Sequence, residues 1–324
     1  MTVPSCSLSI LVARTDIPFM MHTIPHLVKM CNFPFVERTL VMDTAPLSGD
    51  KVNRPGIGTL EQVRDNCDRL INDGIVDRMI EIDYSSDRRK ALYKKHLGSS
   101  RIQLTHNYKG YPILGTIFSL EAVPGDYVLH FDSDMLMHQQ ADYNWIEAAI
   151  ELFQRCPEII AIRPLAGPPH PDGPQQESNF VHRSEGFYEF KTFGSRAYLL
   201  DRKRFEEFLP LPVLWRPYRQ QFIDPMPNMV KNWLNAIGGK GKLGSWEIMF
   251  TNRIQASSYV RANLDNPKAW TLHPIARGPE YIQALPQIIE KIEAGWYPAE
   301  QAGYYDLKLS PWLDALNVEQ PISN

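Results

Sequence analysis

The stretch that most restricts the fold is Tyr127-Val128-Leu129-His130-Phe131, an apolar run that follows Pro124-Gly125 and stops at Asp132-Ser133-Asp134. A short, nearly continuous apolar run after a turn signal reads as a strand buried on both faces, which belongs in a sheet covered by helices. Ligands of open α/β sheets bind outside the C-terminal ends of the strands, and this strand delivers two carboxylates to that place. Residues i and i+2 of an extended segment share a side. Asp132 and Asp134 can therefore reach one hard cation and leave coordination positions for water or phosphate oxygens. An Asp-x-Asp by itself is common on solvated turns; the buried strand before it makes metal-assisted handling of a phosphate the expectation.

The rest of the chain supplies strands and helices for such a sheet. Ser7 to Ala13 reads as a strand that breaks into the loop Arg14-Thr15-Asp16, and Met20 to Cys31 has apolar residues at helical spacing. Arg38 to Met42 is a second strand, ending at Asp43, and Ile75 to Asp83 a third. Leu60 to Asn72, Asp87 to Lys95, Tyr111 to Val123 and Trp145 to Arg155 read as helices, and Glu158 to Arg163 as a further strand. Alternation with short connections predicts an α/β fold with a mainly parallel central sheet and helices on both faces.

After Met137 the texture changes. Pro164 to Pro174 holds five prolines, too many for a helix or central strand, and reads as a long functional loop. Phe187 to Leu200 is strand-rich and Arg202 to Leu209 a short helix. Leu214 to Gly244 is aromatic and basic, and it closes with the glycine-dense stretch Gly238 to Gly244, which predicts a mobile lid. Six of the seven tryptophans lie beyond residue 200, which points to acceptor recognition by aromatic faces in this half.

Composition narrows the partners. Lys and Arg number 34 against 37 Asp and Glu, a formal charge of −3, so no basic excess argues for nucleic acid or an anionic membrane. The cysteines, Cys6, Cys31, Cys67 and Cys156, are scattered without a Cys-x-x-Cys pair, as expected for reduced thiols in a cytoplasmic protein. The apolar run Leu8 to Ala13 is too short to cross a membrane, and no transmembrane segment is expected.

The first strand with its polar loop, the second strand ending in Asp43, and Gly125-Asp126-Tyr127-Val128-Leu129-His130-Phe131-Asp132-Ser133-Asp134 together resemble the nucleotide-sugar half of family 2 glycosyltransferases with the GT-A (Rossmann-like) fold. Phe193 to Phe205 is similar to the strand and basic turn that open that family's acceptor half. Gly244 to Ile254 is similar to its acidic catalytic segment. The resemblance implies three divisions: residues 1–137 for donor binding, 138–275 for the acceptor and catalysis, and 276–324 as a helical, aromatic extension.

It further implies that Ala13, Arg14, Thr15, Asp16 and Asp43 hold the base and ribose of the donor. Asp132 and Ser133 lie toward the ribose and the metal, and Asp134 binds the metal directly. Glu247 falls where the family has its general base, and His273 where many relatives supply a further ligand to Mn²⁺ or Mg²⁺. The family's Ala-Arg-Asn stretch is replaced by Leu114-Gly115-Thr116-Ile117, so Lys109 or a lysine of the glycine-rich stretch is the candidate cation for the diphosphate. A single carboxylate, in Trp246-Glu247-Ile248, stands where the family has Glu-Asp.

The expected activity is metal-dependent transfer of a hexose from a nucleotide-diphosphate sugar, UDP by default, to a hydroxyl of a glycan or small molecule. It is expected to be inverting, and non-processive because the Gln-x-x-Arg-Trp pattern is absent. Two alternatives stay open: a haloacid-dehalogenase-like phosphatase, whose nucleophile also lies at an apolar strand that ends in Asp-x-Asp, and a non-catalytic nucleotide-sugar-binding protein of the same fold.

Overall fold

A computed structural model gives the fold and describes residues 5–216, 221–238 and 241–318. In chain order it runs β1 (Cys6–Val12), α1 (Met20–Cys31), β2 (Glu37–Met42), α2 (Leu60–Asn72), β3 (Arg78–Glu81), α3 (Ser86–Leu97), α4 (Leu114–Ala122) and β4 (Tyr127–Asp132). Then come β5 (Leu136–Gln139), α5 (Trp145–Arg155), β6 (Ile159–Arg163), β7 (Leu165–Ala166), β8 (His182–Ser184), β9 (Phe187–Phe190), β10 (Ala197–Asp201) and α6 (Arg202–Phe208). The chain continues with α7 (Asn228–Gly238), α8 (Trp246–Gln255), β11 (Val260–Leu264), β12 (Ala269–Leu272), α9 (Pro279–Glu293) and α10 (Leu309–Val318).

The main sheet has the order β3-β2-β1-β4-β10-β6-β11-β9-β8, and every strand except β9 and β10 runs in one direction. β1 leads outward to β2 and β3 on one side, while β4 lies against its other edge. The strand order therefore reverses between β1 and β4, the kind of crevice in which α/β sheets bind ligands. Period-two alternation fills both faces of the sheet. Leu129 and Phe131 join a core with α1, α2 and α5, and Val128 points to a second core with α3, α4, α6 and α8. Each of these buried side chains contributes about 1.5–3 kcal/mol, so β4 is held firmly where its last residues must be placed.

A third core joins α9 and α10 to a small sheet of order β5-β12-β7, through Leu136, Trp270, Leu272, Leu285 and Trp312. No helix of the described residues is long and apolar enough to cross a membrane.

Several local expectations change. The third strand is shorter than Ile75 to Asp83, and two residues of the proline-rich stretch form β7, paired in parallel with β12. The rest of that stretch is pinned to the C-terminal segment: Gly303 N–H donates to Pro168 O at 2.7 Å, and a Cβ on Gly167 would lie 2.4 Å from Tyr304 O. α7 occupies part of the aromatic, basic segment Leu214 to Gly244 and ends where the stretch read as a lid begins, while Gly239 and Lys240 lie outside the described residues. Asp134 is not in the extended strand but in the turn after it, where Met135 N–H donates to Asp132 O at 3.2 Å.

Candidate active site

A cavity of about 580 Å³ opens beyond the C-terminal ends of β1 and β4. Ala13, Thr15 and Asp16 line it from the end of β1; Asp132, Ser133 and Asp134 from the end of β4; Glu247 from the start of α8; and Lys109 and His273 from the connections. The cavity thus gathers nine of the eleven side chains expected from the sequence. Arg14 and Asp43 are not part of its lining.

Asp16 fastens the first loop to the acidic turn. Its carboxylate accepts from Ala13 N–H (2.9 Å), Thr15 Oγ1 (2.8 Å) and Ser133 Oγ (2.8 Å). Burial pushes its pKa up, against the lowering by Lys51 and by the hydroxyl donors Ser133 and Thr15. Asp43 is fully engaged nearby: Tyr84 Oη donates to it at 2.7 Å, Ala45 N–H at 3.0 Å, and His106 Nε2 lies at 3.1 Å. Burial pushes the Asp43 carboxyl up, but His106, Lys51 and Tyr84 outweigh it and hold the pKa below the ordinary value.

Through His106, Asp43 anchors the tight turn that follows. Asn107 Oδ1 accepts from the N–H groups of Lys109 and Tyr111, both at 2.9 Å. Gly110 has φ +82°, and a Cβ there would stand 1.9 Å from Ser48 O, so only glycine allows this packing. The turn brings Lys109 to the cavity beside Lys51.

The two carboxylates of the acidic turn differ. Asp132, with 42% of its side-chain surface exposed, faces the cavity, and its Oδ1 lies 3.4 Å from His130 Nε2. Burial raises its pKa, but the bond to His130 and the nearby charge of Arg196 hold it below the ordinary value. Asp134 is buried, its Oδ2 paired with Arg277 Nη2, and its Oδ1 has no hydrogen-bond partner among the described residues.

Arg277 also donates to His273 Nε2 at 3.2 Å, which leaves His273 Nδ1–H to donate to Asp306 Oδ1 at 3.0 Å. A carboxylate behind the imidazole fixes the tautomer that presents Nε2 as an acceptor. Asp306 is itself kept ionised: burial raises its pKa, and the bonds from His273 and Gln176 more than reverse this.

Two carboxylates and an oriented imidazole suit Mn²⁺ or Mg²⁺, and the orphaned Asp134 Oδ1 supplies a free acceptor for such an ion. As placed, no three His, Cys, Asp or Glu side chains of the described residues converge as a ligand set. Arg277 takes one acceptor atom of Asp134 and the one open to the cavity on His273.

Ser245, also in the lining, caps α8 by accepting from Ile248 N–H at 3.2 Å, which puts Glu247 in the first turn. Glu247 Oε2 accepts from Ser195 N–H (3.1 Å) and Ser195 Oγ (2.9 Å). Arg196 is the next residue; burial lowers its pKa, but Tyr305 and the carboxylates Asp132, Asp134 and Glu247 raise it further. Trp246 reaches the cavity wall, yet it packs against Phe193 and Phe250 at 5.3 and 5.1 Å, and Trp270 and Trp312 are wholly core. These three tryptophans are thus structural, whereas Trp233 and Trp296 are exposed. Neither the proline-rich stretch nor Gly238 to Gly244 contributes a described residue to the cavity.

Sequence reasoning missed Lys51, Arg54, Asn107, Arg196, Arg216, Arg277 and Asp306, all of which line the cavity. Arg196 lies inside the segment that resembles the acceptor-half strand, and Arg277 four residues after His273; proximity to a motif was the available signal.

No family model matches the chain, and no curated protein does. Solved structures do match. One is the crystal structure of GalNAc-T7 with UDP, GalNAc and Mn²⁺, 13% identical over 84% of this chain and 44% of that one, with a TM-score of 0.45. Another is S. aureus TarS 1–349 in complex with UDP-GlcNAc, 10% identical over 89% of this chain and 66% of that one, with a TM-score of 0.44. The chain therefore spans less than two thirds of the length of either.

Proposed function

We propose that the chain is a metal-dependent glycosyltransferase that moves a hexosyl group from a nucleotide-diphosphate sugar, by default a UDP-sugar, to a hydroxyl acceptor with inversion and without processivity. The observation that carries this reading is the meeting of Asp132, Asp134 and Glu247 in the lining of one cavity at the β1/β4 switch. The resemblance to family 2 glycosyltransferases supplies the donor class. Asp134, with Asp132 and His273, would hold the Mn²⁺ or Mg²⁺, and the ion would offset negative charge on the departing diphosphate.

The chain's own residues do the rest. The loop Ala13 to Asp16 and the turn at Lys109 form the donor wall, and Lys51, Lys109, Arg196 and Arg277 add fixed positive charge to it. Glu247 takes the proton of the acceptor hydroxyl as its oxygen bonds to the anomeric carbon and the bond from that carbon to the diphosphate breaks. Ser195 holds the carboxylate by Oε2, which leaves Oε1 for that proton.

Incubation with UDP-sugars and Mn²⁺ tests the reading. Slow release of UDP without acceptor supports it, hydrolysis of p-nitrophenyl phosphate without a sugar donor indicates the phosphatase, and binding without turnover indicates the non-catalytic alternative.

A further inference from the structure

Arg277 stands between two side chains on which the proposed cation site depends. Its Nη2 engages Asp134 Oδ2 and His273 Nε2, the second being the atom by which His273 would ligate a divalent ion. The guanidinium does not complete the site. Asp134 Oδ1, on a residue only 5% exposed, keeps no hydrogen-bond partner among the described residues, and Arg277 Nε has none either. A buried carboxylate oxygen without a partner is costly, and a divalent ion would satisfy it while bringing a second unit of charge. The segment carrying Arg277, between β12 and α9, has room to shift: Ile275 is 63% exposed, and a Cβ on Gly278 would meet nothing within 4 Å.

We infer that Arg277 is the resident counter-charge of the cation site, holding Asp134 and His273 in the free protein, yielding them to a divalent ion, and then pairing with the donor's diphosphate. This rests on the metal-dependent reading given above. His273 Nε2 has a single lone pair, which a guanidinium N–H and a divalent ion cannot both hold, so they compete for it. The displaced fork is suited to bidentate contact with phosphate oxygens. Nucleotide therefore takes up what the metal displaces, and the two ligands tighten each other reciprocally.

The test is a titration of the full chain with Mn²⁺, followed by electron paramagnetic resonance of the free ion, with and without UDP. Arg277→Met should bind Mn²⁺ alone about tenfold more tightly than the wild type, within the usual range of coupling between sites. Addition of UDP should tighten Mn²⁺ binding less in that variant than in the wild type. Arg277→Lys, which keeps a cation but loses the fork, should show a smaller change in the same direction and guards against a Met variant that fails to fold. Unchanged or weaker Mn²⁺ affinity in the folded variants overturns the inference, as does an undiminished effect of UDP. Asp134→Asn separates the two levels: if it binds Mn²⁺ as the wild type does, the cation site itself is misplaced, whatever Arg277 does.

Discussion

Glu247 is the residue on which the proposed chemistry is most exposed to test. It stands in the first turn of α8 and is held at Oε2 by the N–H and Oγ of Ser195, so Oε1 is the oxygen left to meet an acceptor hydroxyl. Glu247→Gln keeps shape and an oxygen for Ser195. It should leave donor affinity near that of the wild type and reduce transfer by roughly 10²-fold or more, read from kcat and KM measured separately. Transfer near the wild-type rate would make Glu247 structural. At this scale the sequence was legible where a residue type is rare in its setting: Asp132 and Asp134 follow a buried strand, and His273 follows Trp270-Thr271-Leu272. The arginines were not, because charged loop residues are ordinary anywhere and only tertiary packing aims them into the cavity. Asp16 lines the cavity and Asp43 does not, and the partners of each make it a fastener of the cavity wall.

Between elements, the floor behind the site is tied by Glu177. It accepts from Arg163 at the end of β6, and from Arg261 (3.3 Å) and Asn263 (3.2 Å) on β11. Arg163 in turn lies over the Tyr305 ring at 5.0 Å, and Tyr305 stacks on His273 at 6.1 Å. Burial raises the Glu177 pKa, but Arg163 and Arg261 outweigh it and bring it down to about 2, from an ordinary 4.5. A depressed carboxylate contributes stability that is complete above about 4.5 and is lost as pH falls toward about 2. Glu121 and Glu293 are also held at about 2, so the whole protein should weaken in that window. Glu177→Gln leaves two buried arginines without their carboxylate and should cost about 3–5 kcal/mol near neutral pH, measured by urea unfolding. Its deficit against the wild type should shrink as pH falls from 5 toward about 2, the sign that the depressed pKa dictates. A deficit independent of pH would show that Glu177 acts through packing alone. None of this was visible in the sequence, since Glu177 lies just past the proline-rich stretch and its partners are 14 and 84 residues away. α7 was missed for a related reason: the glycines and aromatics around it drew attention from the helical spacing of Val230, Leu234 and Ile237.

For the whole molecule, the parallel half was readable because each of β1, β2 and β4 is short, apolar and followed by a polar strand end. The C-terminal part was not, because its order comes from distant pairings. β5 meets β12, β12 meets β7, and Asp306 meets His273 only after α9 has crossed the small sheet. Residues from 276 onward are thus built into the site through Arg277 and Asp306. The claim that binds these parts together is that the β1/β4 switch holds a nucleoside diphosphate through a cation at Asp134. Calorimetric titration of UDP into the wild type and Asp134→Ala, each in Mn²⁺ and in EDTA, tests it most directly. The account predicts UDP binding in the wild type with Mn²⁺ that is largely lost in EDTA, and no metal-dependent binding in a folded Asp134→Ala protein. Equal UDP binding by the wild type in Mn²⁺ and in EDTA would contradict it.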